Sequence, residues 1–262
     1  MCWRDSLLSF QIVKDWFDKT VTTDFVEWNE RSFSQCVTYD HKMAYLTSST
    51  RDNWLYTWAS KLPKSANLPK SGLFTKGTSS ITPEEARLWC AVHADGAKNQ
   101  RKWTFGFKKI RKVERLHKLL KNLNIEYDYV LYKSGVHGFR FDKVGIEPWL
   151  DSYILNWPIE ALDAYIDEAP YWDGVRVDVE GKTTHARYFL TTKKDQAQWF
   201  MTMVHLTNRA SLLTTVKPTG YGKLDLHRVS INERPLFRNV TPLNFRETKR
   251  ILCPVTPTGF LS

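Results

Sequence analysis

The sequence predicts an α+β fold in which a middle region of helices and strands lies between two β-rich ends. The ends, residues 1–79 and 234–262, consist of short aromatic and β-branched stretches broken by turn residues. The middle, residues 80–233, has apolar residues at helical spacing that alternate with strand-like segments. Its elements recur in the same order in residues 80–155 and 156–233, which indicates an internal duplication.

The composition is that of a basic globular protein. Its 262 residues are 42% hydrophobic and 14% aromatic, so the chain can form a core and is not a disordered tail. A net charge of +10 and a pI near 9.4 favour an anionic partner, most often nucleic acid, although a basic protein without such a partner is the alternative.

The cysteine spacing and the apolar runs of the sequence bear on the cellular compartment of the protein. The four cysteines have no C-x-x-C spacing, so we expect neither a zinc site nor a disulfide framework, and a reducing cytoplasm fits. No apolar run approaches a membrane span and the first residues lack a signal-peptide pattern, so we expect no membrane partner.

The segment RLWCAVHADG is predicted to complete the first helix of the middle region. Ser80 or Thr82 can cap this helix, and Pro83 suits its first turn. We expect the helix to end at Asp95, immediately before Gly96.

The rest of each half is predicted to be a strand, an amphipathic helix and a hairpin. In the first half these are KWTFGFKK, IRKVERLHKLLKNLN and YDYVLYKSGVHGFRFDKV, with the turn at Ser134–Gly135. In the second half they are HARYFLTT, KKDQAQWFMTMVHLTN and SLLTTVKPTGYGKLDLHRV. Aligning the last strands, FRFDKV and LDLHRV, places Arg228 at the position of Lys143.

An acidic residue ends the first helical segment of both halves. PIEALDAYIDEAPYWDG ends in Asp173 before a glycine, as the earlier helix ends at Asp95. If the two helices meet through their small residues at a pseudo-twofold axis, these carboxylates lie side by side. They then repel each other near the negative ends of two helix dipoles, so a cation between them is expected. Oxygen ligands suit Mg²⁺, which can activate water for phosphodiester cleavage. Each aspartate alone is equally consistent with a turn-former.

Basic residues cluster beside these elements. From Lys98 to Lys121 there are ten Lys or Arg residues and one acid, Glu114. We predict that these cations contact DNA phosphates while strand side chains read the major groove. The predicted contacts are Lys98, Arg101, Lys102, Lys108, Lys109, Arg111 and Lys112, together with Arg187, Lys193 and Lys194. The alternative for the helical cations is a solvated face, and for Lys143 and Arg228 an ordinary exposed strand position.

The segment LWCAVHADG resembles the motif of the LAGLIDADG homing endonucleases. Leu88, Ala94, Asp95 and Gly96 match its letters, and the order of elements is similar to that of a single-chain, two-repeat member. The resemblance covers residues 80–233. It implies two pseudo-symmetric αββαββα repeats in a monomer that cuts double-stranded DNA at a long specific site.

The resemblance also implies roles for individual residues. Asp95 and Asp173 are the expected ligands of a divalent metal, Mg²⁺. Lys143 and Arg228 are the expected basic residues near the two acids. The alternative is a maturase-like relative that binds nucleic acid without cleaving it.

Two features of the second motif depart from the family pattern. Pro170 is expected to kink the helix. Glu168 stands where the family prefers a small residue, so a register in which Glu168 rather than Asp173 is the second acid stays open.

The ends of the chain resemble the Hint fold of inteins. VTYDHKM, which contains Thr38 and His41, RILCPVTPTGF and SKLPKSANLPKSG are similar to intein segments. The resemblance implies one Hint-like β domain with the endonuclease inserted in it. We expect no splicing, because the terminal cyclising Asn is missing; the alternative is a fragment of an intein that splices with a partner. Its expected DNA contacts are Arg234, Arg238, Arg246, Lys249 and Arg250.

Overall fold

A computed structural model of the chain describes residues 2–4, 7–9, 11–30, 33–50, 53–99, 101–142, 145–172, 174–177, 186–218, 224–233, 236–238 and 241–255. Within these residues the fold is mixed α/β, with four α-helices and many strands. The chain divides into two compact units. The β unit consists of Met1–Thr75, Asn208–Ala210 and Asn232–Ser262, and the helical unit of Lys76–Thr207 and Ser211–Ile231.

The elements follow one another along the chain in three groups. The first group is β1 (Cys2–Arg4), β2 (Leu7–Ser9), β3 (Asp15–Glu30), β4 (Phe33–Thr38), β5 (Lys42–Tyr45), β6 (Leu55–Trp58), β7 (Asn67–Pro69) and β8 (Leu73–Phe74). The second is α1 (Pro83–Asp95), β9 (Ala97–Asn99), β10 (Lys102–Phe107), α2 (Ile110–Asn122), β11 (Tyr127–Leu131), β12 (His137–Asp142), α3 (Ile159–Trp172), β13 (Gly174–Val177), β14 (Ala186–Thr191), α4 (Lys194–Leu206), β15 (Ala210–Val216) and β16 (Leu226–Asn232). The third is β17 (Leu236–Arg238) and β18 (Leu243–Val255).

Two antiparallel ladders join the first and last segments of the β unit. β3 pairs with β18 from Asp15 opposite Val255 to Glu27 opposite Leu243, and β7 pairs with β17. The buried core residues of this unit are Val26, Trp28, Met43, Ala59, Leu68 and Phe237. Because Phe237 packs with residues from the first segment, both ends of the chain contribute to one hydrophobic core.

The two sheets of the helical unit have the same strand order. The order is β11–β12–β10–β9 in one and β15–β16–β14–β13 in the other. α2 packs on β10, and α4 packs on β14. The buried apolar residues are Val113, Leu116, Leu119 and Leu120 in α2, and Ala197, Phe200, Met203 and Val204 in α4. These are the positions that the helical spacing of the sequence predicts to be apolar.

α1 begins and ends at identifiable sequence signals. The Thr82 hydroxyl accepts a hydrogen bond from the Glu85 amide and the Glu85 carboxylate accepts one from the Thr82 amide, a reciprocal capping box. Gly96 follows the last residue, but its φ of −75° is open to any residue. A Cβ on Gly96 would lie 2.6 Å from the Val92 carbonyl oxygen, so close backbone approach is what favours glycine there.

α3 passes through Pro170 without ending there. The helix spans Ile159–Trp172 and Pro170 is buried inside it, so the helix does not end at this proline. A proline removes the hydrogen bond to the carbonyl four residues earlier, and this loss affects only the last turn when the proline stands two residues before the end. α1 packs along α3, with His93 against Tyr165. Trp89 of α1 also contacts Trp157, which precedes α3.

No helix in the described part of the chain is long and apolar enough to cross a membrane.

Candidate functional site

Asp95 is bound by a lysine from α2. It is the last residue of α1, its side chain is 25% exposed, and the Lys112 ammonium donates to its Oδ2 atom. Lys112 is only 10% exposed, and its Nζ atom lies 5.9 Å from the ring centroids of both Phe107 and Trp172. The ammonium therefore neutralises Asp95 at the negative end of α1 within an aromatic cage.

Lys112, one of the predicted DNA contacts, points inward. Lys112 precedes Val113 on the buried face of α2, so its aliphatic stem lies in the core and its charged end is turned towards Asp95.

Glu168 is also bound by a cation of α2. Its side chain is 1% exposed, Arg115 binds both carboxylate oxygens, one of them at 2.8 Å, and the Trp172 indole N–H donates to Oε1 at 2.8 Å. The bond to Glu168 raises the pKa of Arg115. Glu168 is therefore a buried structural carboxylate with both oxygens engaged, and it is not an open metal ligand.

Three residues of α2, which we call the α2 clamp, hold the ends of α1 and α3. The clamp consists of Arg111, Lys112 and Arg115, and Arg111 donates to the carbonyl oxygen of Tyr171. Because Lys112 contacts Asp95 and lies against Trp172, the C-terminal ends of the two helices are close together. Asp173, the next residue, lies outside the described residues.

Strand register relates the second acid to the first. Tyr188 on β14 stands 84 residues after Thr104 on β10, the same separation as between the first residues of α2 and α4. Ala97 is opposite Thr104, and Val175 is opposite Tyr188. Val175 therefore corresponds to Ala97, and the residue two before it, position 173, corresponds to position 95. The same relation pairs Glu168 with Cys90, which favours the register that ends in WDG.

The predicted match between Lys143 and Arg228 does not follow this register. Lys143 lies outside the described residues. Arg228 is opposite Leu190. The 84-residue separation relates Leu190 to Gly106, which is opposite Gly138, so Arg228 corresponds to Gly138. The sequence alignment of the last strands is thus shifted, because the hairpin loops of the two halves differ in length. Arg228 donates to the Thr214 hydroxyl at 3.2 Å.

The pleat of the sheets decides which cations face away from the helices. Phe105 and Phe189 are buried on the helix-facing sides, so their immediate neighbours in sequence point to the opposite, open faces. Lys102 lies on the open face of the first sheet, with its ammonium 3.6 Å from Asp128 and 3.8 Å from Asp142. Arg228 lies on the open face of the second sheet.

Two predicted DNA contacts lie instead on the helix-facing sides. Lys98 is opposite Trp103, which is buried, and Arg187 is two residues from buried Phe189. Arg187 binds Asp167 of α3 at 3.0 Å. Period-two alternation places both residues on the sides opposite to the open faces.

The remaining predicted contacts are exposed, as Lys98 also is. They are Arg101, Lys108, Lys109, Arg111, Lys193 and Lys194. Lys109 caps α2 and Lys193 caps α4, and neither makes a side-chain capping bond. Cations at the positive end of a helix dipole oppose helix stability, so the two lysine pairs favour a role outside the fold, such as binding phosphate.

His93 has a packing role. Its Nε2 atom lies 2.8 Å from the Glu147 carbonyl oxygen and its Nδ1 atom 2.9 Å from the Tyr165 hydroxyl. Burial lowers the pKa of His93 to about 4, so the ring is neutral at pH 7. A carbonyl only accepts, so Nε2 carries the hydrogen and Nδ1 accepts from Tyr165.

The cations predicted to act in the β unit are paired with acids. The Nη1 atom of Arg246 lies 3.6 Å from Oδ2 of Asp24. Arg250 donates from Nε to Oδ1 of Asp18 at 2.8 Å and from Nη2 to Oδ2 at 2.6 Å. Lys249 lies 2.9 Å from Glu247. Arg234 and the side chain of Arg238 lie outside the described residues. Exposed ion pairs of this kind leave less net positive charge for phosphate than the sequence suggests.

The described residues alone do not form a complete site for Mg²⁺. They contain no group of three or more His, Cys, Asp or Glu side chains that could hold a metal ion. Oδ2 of Asp95 is already bonded to an ammonium. The other expected ligand, Asp173, lies outside the described residues.

Comparison with known proteins identifies LAGLIDADG domains among the similar solved structures. The N-terminal LAGLIDADG domain of DUF199/WhiA is 12% identical, with 58% of this chain and 76% of that chain covered and a TM-score of 0.40. Full-length DUF199/WhiA from Thermatoga maritima is 12% identical over 59% of this chain and 53% of that chain, with a TM-score of 0.41. The homing endonuclease I-DmoI, in complex with DNA and Mn, is 14% identical over 57% of this chain and 89% of that chain, with a TM-score of 0.36. No profile of a known protein family matches the sequence, and no curated protein sequence matches it.

Proposed function

We propose that the helical unit is a LAGLIDADG-type module that binds double-stranded DNA with the open faces of its two sheets. The observation that carries the proposal is the meeting of α1 and α3 at their C-terminal ends, where Lys112 contacts Asp95 and lies against Trp172. The matching strand order of the two sheets supports a duplicated module. A monomer then presents two related surfaces to one duplex.

Charge supports DNA as the partner. The sequence carries a net charge of +10. Exposed lysine pairs stand at the starts of α2 and α4, and Lys102 and Arg228 lie on the open faces. Phosphate contacts from such residues hold a duplex without reading its sequence, and the strand side chains between them can read base edges.

The finer proposal is site-specific cleavage of both strands, with Asp95 and Asp173 as the acids and Mg²⁺ as the metal. It rests on the resemblance of LWCAVHADG to the family motif and on the register that relates position 173 to position 95. It requires Lys112 to leave Asp95 when DNA binds.

The second candidate is DNA binding without cleavage. The Asp95–Lys112 ion pair favours it, because a buried ammonium on the acid satisfies the carboxylate without a metal. Removing an ammonium from a partly buried carboxylate costs free energy that metal binding has to offset.

The experiment is a selection of bound duplexes from a randomised library, followed by incubation of the selected DNA with Mg²⁺. Cutting by the wild-type protein that is lost in the Asp95→Asn, Asp173→Asn double variant supports the endonuclease. Specific binding without cutting supports the second candidate. No salt-dependent binding at all contradicts both, since phosphate contacts weaken steeply with salt.

We also propose that the β unit is a Hint-like domain, intein-derived and splicing-deficient, that adds DNA contacts. The pairing of β3 with β18 and of β7 with β17 supports one domain made from both ends of the chain. The test is to flank the chain with two reporter domains. Ligated reporters that lack the middle would show that the domain splices and that the proposal is wrong.

A further inference from the structure

A cavity of about 500 Å³ lies inside the helical unit, beside the C-terminal end of α1 and away from the open sheet faces. Residues from both halves line it, including Lys98, Trp103, Trp149, Tyr165, Phe189 and Lys193. Its size falls within the range of pockets that bind small molecules. The DNA-binding proposal assigns a phosphate contact to Lys193 and gives no role to the cavity itself.

The cavity combines aromatic walls with two cations. Trp103, Tyr165 and Phe189 are buried and present ring surface to it. Lys98 reaches it because β9 places that residue on the helix-facing side, opposite Trp103. No acidic residue of the described chain lines the cavity, so its lysines face no carboxylate there.

Trp149 and Lys193 form its most distinctive contact. The Lys193 ammonium lies 2.9 Å from the centroid of the Trp149 ring, which is 49% exposed. An ammonium over an indole face is held by a cation–π interaction, which is weaker than a charge-assisted bond to phosphate. An anion can therefore draw Lys193 away and leave the Trp149 face free for stacking by a flat ring.

The polar groups on the inner wall are already satisfied by protein. His93 is neutral and bonded through both ring nitrogens, and Gln196 binds the amide and the carbonyl of Leu150. The aromatic rings and the two ammonium groups are therefore the groups that we assign to recognition. We infer that this cavity binds a nucleobase that carries a phosphate group.

Such a ligand has two sources, a free nucleotide or a base unstacked from bound DNA. The second source rests on the proposed DNA binding, since an extruded base needs a bound duplex. The first source is independent of it. The tests use deoxyadenosine 5′-monophosphate for the free nucleotide and a duplex containing 2-aminopurine for the unstacked base.

The first arm is titration calorimetry of the full chain with the mononucleotide, compared with deoxyadenosine and inorganic phosphate alone. The mononucleotide should bind more tightly than either part. Lys193→Ala should weaken it about tenfold, because one charge-assisted contact is lost. Lys133→Ala is the control, since Lys133 is exposed and lies in the helical unit outside the lining, and it should leave the affinity unchanged. Equal effects of the two variants, or no binding at millimolar nucleotide, overturn the inference for the free nucleotide.

The second arm follows 2-aminopurine fluorescence in a selected duplex. A rise on binding that Trp149→Ala abolishes, with DNA affinity retained, assigns the unstacked base as the source. Nucleotide binding without DNA binding supports the inference that the cavity binds a nucleotide and contradicts the proposed DNA-binding function. If neither probe responds in a protein whose circular dichroism matches the wild type, the inference is wrong.

Discussion

The two halves of the helical unit use corresponding helix positions for different tasks. Lys112 on α2 and Gln196 on α4 stand 84 residues apart, and both are buried, with 8% and 6% exposure. Lys112 binds the carboxylate of Asp95, whereas Gln196 binds the main-chain amide and carbonyl of Leu150. A buried polar residue is thus present at this position in both helices, but only in the first half does it act on a charge.

The neighbouring positions differ in the same way. Arg111 and Arg115 of the α2 clamp correspond to Asp195 and Trp199 of α4. α2 therefore supplies the cations for the ends of both α1 and α3, and among the described residues α4 supplies none. The two halves therefore differ in their electrostatics, although the order of strands in the two sheets is the same.

The largest effect is expected from the Arg115–Glu168 pair. Arg115→Leu leaves a fully buried carboxylate without its cation, which should lower the free energy of unfolding by about 3 kcal/mol, at the lower end for buried pairs because Arg115 is partly exposed. Urea unfolding measures it. Adding Glu168→Gln should restore part of the loss, and a loss below about 1 kcal/mol would mean that the pair is not a structural clamp.

His93 of α1 should make the free energy of unfolding depend on pH. The corresponding residue of α3 is Tyr171, which is exposed. The folded-state pKa of His93, about 4, lies below the usual 6.5 of an unfolded chain. Its contribution is therefore present above pH 6.5 and is lost as the pH falls towards 4. About 2 kcal/mol should disappear between pH 7 and pH 5. Urea unfolding at both values measures the loss, and His93→Gln should reduce it. An equal loss in that variant would assign it to other groups.

A smaller effect should distinguish the two corresponding polar residues. Gln196→Met leaves the buried amide and carbonyl of Leu150 without their partner, which should lower the free energy of unfolding by about 2 kcal/mol. Lys112→Met leaves the partly exposed carboxylate of Asp95 without its ammonium partner, which should lower it by about 1 kcal/mol. Thermal unfolding compares them. Asp95→Asn should offset part of the loss in Lys112→Met and none of it in Gln196→Met. A reversed order of the two costs would contradict the assigned partners.

The smallest effect per residue is expected from the exposed lysine pairs. Replacing Lys108 and Lys109 by Ala should reduce the slope of log affinity for DNA against log salt by about 2, and replacing Lys193 and Lys194 should do the same. Fluorescence anisotropy at several salt concentrations measures the slope. Lys112→Met is the control, since its ammonium is buried, and its slope should match the wild type. A change confined to one pair would show that DNA lies on one half only.

Several local features followed from the sequence. Thr82 and Pro83 indicated where α1 begins, and helical spacing identified the buried residues of α2 and α4. The hairpin turn at Ser134–Gly135 is present, with Gly135 at a φ of +75°. Each of these depends on residues close together in the chain, whose steric and hydrogen-bonding preferences act without any distant partner.

The orientation and partners of the charged residues were decided by the tertiary structure. Lys98 and Arg187 face the helices because of sheet register, and Lys112 and Arg115 turn inward because α1 and α3 place carboxylates against α2. The sequence pattern around a lysine or arginine on an amphipathic helix or strand is the same whether the side chain binds phosphate or a buried acid. The partner that distinguishes the two is 17 residues away for Lys112 and 53 for Arg115, so only packing brings the charges together.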